Sequence, residues 1–162
     1  MSSITWQALD DALGAAVSSA LREAALPALR VRDDTEKPLP RPSYRIDLAV
    51  ADEARTAEYA ERGAEVEIYY YPKDAHAPRN ELLTAAEALR CALGEGVDIG
   101  GVWLYPEDGI ETDASDGVLA VMLRARVDRD GRGARGRADG RAGVQGNTAQ
   151  LKRYCRNNTG GE

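Results

Sequence analysis

The sequence predicts an α/β domain of the α+β kind, with a sheet of about four to five strands, two helices and a flexible C-terminal tail. Three observations predict it. Two stretches repeat apolar residues at helical spacing, and several others alternate apolar with polar residues at period two. The composition then changes abruptly past residue 130. A chain of 162 residues has room for one domain with a sizeable core.

The first helix follows a cap at Thr5 or Ser3, with Trp6, Leu9, Leu13, Val17, Ala20 and Leu21 on one stripe. Pro27 cannot enter a helix interior, so the helix is expected to end near Ala24. Residues 29–32 read as a short strand. Residues 33–42, polar and proline-rich, read as an exposed loop. Asp33 and Asp34 in that loop have no further ligands at defined spacing, so no cation site is expected.

Tyr44, Ile46, Leu48 and Val50 alternate with Ser43, Arg45, Asp47 and Ala49, the pattern of a strand with one buried face. Residues 52–55 are expected to turn the chain. Extended structure then resumes at Thr56, with Gly63 as a bulge or kink. The stretch Val66-Glu67-Ile68-Tyr69-Tyr70-Tyr71-Pro72 is the centre of the reading. Val66, Ile68 and Tyr70 share the core face, and Glu65, Glu67, Tyr69 and Tyr71 share the other. Pro72 lacks an N–H and stops the strand.

A connector over residues 73–78 leads to a second helix beginning near Arg79 or Asn80. Its buried stripe is expected at Leu82, Leu83, Ala86, Leu89, Arg90 and Leu93, and Gly94 and Gly96 supply the stop. Residues 101–106 read as a strand ended by Pro106, with residues 110–112 continuing its course. Asp116-Gly117 signals a hairpin turn. The last strand begins at Val118 and ends about Asp128. Leu119, Val121, Leu123, Ala125 and Val127 point inward, and Ala120, Met122, Arg124, Arg126 and Asp128 outward.

The domain is expected over residues 1–130 and the tail over residues 131–162. The tail carries eight of the chain's 16 glycines, with seven Lys and Arg against two acidic residues. It is therefore net +5 within a chain total of -6, which leaves residues 1–130 at -11. So acidic a body is poorly suited to gripping DNA. A tail with few large apolar groups cannot offset its ordering entropy and is expected to be flexible.

The run Gly131-Arg132-Gly133-Ala134-Arg135-Gly136 has dinucleotide-fingerprint spacing. No amphipathic helix follows to receive a pyrophosphate, so the match is assigned to chance in a Gly/Arg-rich segment. Loose contact of this tail with nucleic acid is a lesser reading. Asn157-Asn158-Thr159 has glycosylation spacing, which has no consequence in a protein that is not secreted.

Cys91 is expected as a buried free thiol and Cys155 as part of the loose tail; with one histidine they make no zinc site. His76 stands alone in its connector as a surface residue. No nucleophile, P-loop or ligand cluster stands in usable spacing, so no enzyme, cofactor or metal is expected. The N-terminus lacks a signal peptide, and no apolar run approaches membrane-spanning length, so synthesis in a cytoplasm and no membrane partner are expected.

The order of these elements, with the stretches Arg41-Pro42-Ser43-Tyr44-Arg45-Ile46 and Val66 to Pro72 and the turn at Asp116-Gly117-Val118-Leu119, resembles the tail terminator (tail completion) proteins of long-tailed bacteriophages. Val66, Ile68, Tyr70, Tyr71 and Pro72 match the family's aromatic-x-Ile-x-Tyr-aromatic-Pro strand, with Val66 in place of the first aromatic. The likeness spans roughly residues 4–128.

The resemblance implies an antiparallel or mixed sheet with both helices packed on one face. It implies a hexameric ring of identical subunits on the last ring of tail tube protein. That ring ends tail growth, offers the surface for a head–tail connector protein, and lets DNA pass without specific binding. The place implied is the head-proximal end of the virion tail. Glu65, Glu67, Tyr69, Tyr71, Trp103 and Tyr105 are then the candidate assembly interface, with Trp103 and Tyr105 on a strand neighbouring that of the tyrosines. Alternatives are a connector or neck protein of the same particle and an Arg/Gly-tailed nucleic-acid-binding protein.

Overall fold

The computed structural model describes residues 4–32, 38–55 and 60–128. It contains α1 (Trp6–Glu23), β1 (Leu29–Arg30), β2 (Ser43–Arg55), β3 (Ala60–Tyr71), α2 (Arg79–Gly94), β4 (Val97–Asp98), β5 (Trp103–Ser115) and β6 (Val118–Asp128). The strands form one sheet in the order β1-β2-β3-β6-β5-β4. β1 runs parallel to β2 and the other pairs are antiparallel, so the sheet is mixed and the fold α+β. Among the described residues the sheet has six strands rather than four or five: β1 falls within the strand expected at 29–32, and β4, two residues long, is too short to show a period.

The Thr5 hydroxyl accepts from the Ala8 N–H and caps α1. At the other end Leu26 N–H reaches the Leu21 carbonyl and Ala25 N–H reaches that of Arg22, with Ala25 at φ 58°. That is a Schellman closure with alanine where glycine is usual. Leu9, Leu13, Val17, Ala20 and Leu21 are buried, as the stripe predicts. Arg30 of β1 lies across Gly14, where any Cβ would strike its guanidinium, and pairs with Asp10 at 2.6 Å.

α2 buries Leu82, Ala85, Leu89 and Leu93. The expected stripe was rotated: Leu83 is 58% exposed and Arg90 is exposed. Small Ala85, not Ala86, occupies the fully buried place between Leu82 and Leu89. Pro78 gives this helix no side-chain cap. Instead Glu81, in its first turn, accepts from the Tyr70 hydroxyl at 2.6 Å and the Lys73 N–H at 2.9 Å, tying the helix to the end of β3.

The core joins the buried rows of both helices to Tyr44, Ala64, Val66, Ile68, Tyr70, Leu104, Leu119, Val121, Leu123 and Ala125. Register places Ile68 opposite Val121 and Val66 opposite Leu123, so these rows lie on one sheet face. Both helices cover that face.

Four local expectations are corrected. β2 does not turn at residues 52–55; those residues pair with Ala60 to Gly63, after a bulge between Val50 and Asp52. The bulge is thus on β2, not at Gly63. β5 does not stop at Pro106. It continues to Ser115 through an irregularity between Pro106 and Ile110. Cys91 is half-buried and disulfide-bonded, not a free thiol.

Asp116 and Gly117, at φ 52° and 73°, make the expected hairpin turn. The loop aspartates Asp33 and Asp34, the residues 56–59 expected to be extended, the boundary at 130, the G-x-G-x-x-G run, Cys155 and the tail lie outside the described residues. No helix among the described residues is long and apolar enough to cross a membrane.

Candidate assembly face

The sheet face away from the helices carries the candidate residues. Alternation places Glu65, Glu67, Tyr69 and Tyr71 of β3 there, opposite in sense to buried Val66, Ile68 and Tyr70. Trp103 and Tyr105 of β5 share it, as Leu104 between them is buried. All six therefore lie on one face, but they do not form one cluster. β6 separates β3 from β5, so the two strands are not neighbours as expected. Tyr105 lies level with Arg126 and Gly63, and Gly63 is six residues from Tyr69, about 20 Å along the strand. The two tyrosines mark one end of the face and Trp103 with Tyr105 the other.

At the tyrosine end, Arg45 lies across the Tyr69 ring at 5.1 Å from its centroid and bonds Asp47 at 2.9 Å. The Tyr69 hydroxyl donates to Glu67 Oε2 at 2.6 Å. That bond, more than burial, holds the Tyr69 pKa above its ordinary value. Asp47 and Glu67 stand directly opposite each other, a repulsive placement that Arg45 and the Tyr69 hydroxyl offset. Arg41 lies over Tyr71 at 5.9 Å and donates to the Pro72 carbonyl at 3.1 Å. Both tyrosines are thus covered on one side by arginines and half-exposed.

Between the ends lies a shallow depression of about 290 Å³ lined by Glu65, Glu67, Asp108, Glu111, Met122 and Arg124, among others. The irregularity in β5 swings Glu107 toward β6, where it meets Arg126 at 3.2 Å and Arg124 at 3.9 Å. At the far end Trp103 is 39% exposed and packs beside Gly96. A Cβ on Gly96, at φ 85°, would come within 3.0 Å of the Leu104 carbonyl oxygen, so a side chain there would be strained.

The face offers ring surfaces, paired charges and open carboxylates. Among the described residues no group of His, Cys, Asp and Glu is arranged to hold a metal ion. His76 is exposed, and its backbone N–H bonds Asp74. Such a surface suits recognition by shape, aromatic contact and charge. Arg41, Arg45 and Glu107 were missed as members. Alternation put Arg45 on the outer face, yet only strand order shows which side chains it meets.

Residues 13–130 match the family described as "Phage tail terminator protein". Among solved structures, a chain from the virion of a native gene transfer agent particle is similar, with 21% identity and a TM-score of 0.48. The alignment covers 76% of this chain and 99% of that one. No curated protein matches the chain.

Proposed function

The chain belongs to the phage tail terminator family, and from that premise we propose that its copies close into a ring, a hexamer, on the last ring of tail tube protein. The protein is a structural component of a phage tail. In the proposed role the ring ends tube growth and presents the surface that a head–tail connector protein meets, at the head-proximal end of a virion tail assembled in the host cytoplasm. The family match over residues 13–130 is the observation that carries this reading.

The open sheet face supports it. Tyr69 and Tyr71, held by arginines and only half-covered, are suited to anchor contact with tube protein. Trp103 and Tyr105 supply a second anchor pair at the other end. The -11 balance of residues 1–130 suits a channel that DNA crosses without adhering, because like charge repels phosphate.

The experiment mixes purified protein with the tail tube protein of the same particle and images the product by negative stain. Rings seated on one end of tubes of fixed length are expected. A protein that neither forms rings nor caps tubes overturns the reading, and one that binds only the head-side connector transfers it to the neck.

A further inference from the structure

We propose that neighbouring copies join edge to edge, the open side of β5 in one copy pairing with the open side of β2 in the next, so that the sheet runs on from subunit to subunit. The inference rests on the ring reading and names the contact that would close the ring.

Among the described residues both outer long strands are almost uncovered. β2 has 13 residues, and β1 pairs only with Ser43 and Tyr44. β5 also has 13 residues, and β4 pairs only with Trp103 and Leu104. Long edges of this kind are templates for further pairing unless they are blunted. The two-residue strands blunt opposite ends of the sheet. Ser43 lies level with Tyr71, whereas Trp103 lies opposite Asp128 at the far end of β6.

The direction of the peptide groups follows from bonds already made. Val31 N–H reaches the Tyr44 carbonyl at 2.8 Å, so the core-facing residues of β2 aim their peptide groups outward. Ile46, Leu48 and Val50 continue that row. On the other side, Ile99 N–H reaches the Val102 carbonyl at 2.7 Å, which aims Val102 and Leu104 toward β4. Ile110 and Thr112 share the face of Leu104 and hence its outward aim. The absent N–H of Pro106 falls on the same open side, which is why β5 passes through a proline without losing its bonds to β6.

β2 is antiparallel to β3, β3 to β6 and β6 to β5, so β2 and β5 run in opposite directions. Brought together edge to edge, they form an antiparallel pair in which core-facing residues meet core-facing residues. The helices then stay on one side in every copy. Val50, 56% exposed, and half-buried Ile46 and Leu48 gain cover from half-buried Ile110 and Thr112.

Charge disfavours one of the possible pairings. The outward row of β5 holds Glu111 and Asp113, so two β5 edges would set carboxylate against carboxylate, while on the outward row of β2 Arg45 and Asp47 pair with each other and add no net charge. Unlike edges give a heterologous contact, the kind that closes rings. The open faces then form one continuous surface on which Tyr69 and Tyr71 recur in every copy.

The test uses Val50→Pro and Thr112→Pro in the full chain, each removing an N–H aimed at solvent, with Asp113→Lys as a second β5-edge variant. Mass is read by sedimentation velocity, alone and with tail tube protein, beside circular dichroism for the fold. Wild type is expected to form rings and each variant to stay a folded monomer. An equimolar mixture of Val50→Pro with a β5-edge variant is expected to give one-to-one dimers, since each retains the edge the other needs. Rings of Val50→Pro equal to wild type overturn edge pairing while leaving the ring intact. Self-dimers of the Thr112→Pro or Asp113→Lys chain overturn it in favour of two β2 edges. Wild type that never assembles, even on tube protein, overturns the ring reading itself.

Discussion

Three consecutive tyrosines allow the two faces of β3 to be tested with one substitution type. Tyr70 is fully buried and donates to Glu81, whereas Tyr69 and Tyr71 stand half-exposed on the open face. Replacing Tyr70 by Ser removes a buried ring, which costs about 3–5 kcal/mol in comparable aromatic truncations. Tyr70→Phe removes only a hydroxyl bonded to a carboxylate, at about 1.5–3 kcal/mol. Tyr69→Ser loses an exposed cation–π contact worth about 0.5–1 kcal/mol and a surface hydrogen bond worth about the same. Tyr71→Ser costs less, because its contact with Arg41 is longer, 5.9 Å against 5.1 Å.

Urea unfolding should therefore rank Tyr70→Ser far below Tyr69→Ser and Tyr71→Ser. The assembly readout should rank them in reverse among chains that fold. Interface tyrosines contribute about 2 kcal/mol or more when they are anchors, roughly a 30-fold loss in binding to tube ends. The double variant Tyr69→Ser/Tyr71→Ser should stay folded yet fail to cap tubes. Tyr69→Ser as damaging to stability as Tyr70→Ser would mean the faces are reversed. Full capping by the double variant would remove these tyrosines from the interface.

Tyr44, Tyr69 and Tyr70 all have raised pKa values, Tyr44 and Tyr70 chiefly through burial and Tyr69 through its bond to Glu67. Raised folded values mean that the unfolded chain releases these protons first, so stability is whole below about pH 10 and falls as pH rises beyond it. Tyr44→Phe and Tyr70→Phe should flatten that decline in urea melts between pH 9 and 11 (roughly the span around the free phenol value). Ala25→Gly should raise stability by about 1 kcal/mol, because alanine at φ 58° is strained where glycine is not, as a thermal melt would report. Deleting residues 131–162 should leave ring formation intact in sedimentation. Salt-sensitive nucleic-acid affinity that disappears with the deletion would assign the tail a binding role.

Period and punctuation in the sequence determined much of this protein: α1 with its Thr5 cap, the core row Val66, Ile68 and Tyr70, the Asp116-Gly117 turn and the inward row of β6. Each of these is local, fixed by side-chain alternation or by one residue's backbone preference. Where neighbours decide, the sequence was silent or misleading. Pro106 reads as a strand end until β5 is seen to turn that nitrogen to an open edge. Residues 52–55 read as a turn until their pairing with β3 is seen. Leu83 fits a helical stripe as well as Ala85 does, and only the sheet beneath α2 selects between them.

The candidate face shows the same division. Alternation put Tyr69 and Tyr71 on one side, but strand order set Trp103 and Tyr105 at the opposite end of that side and brought Arg41 and Arg45 onto the tyrosine rings. Alternation is a property of one strand. The order of strands, and with it which edges remain open, arises only when the whole sheet assembles.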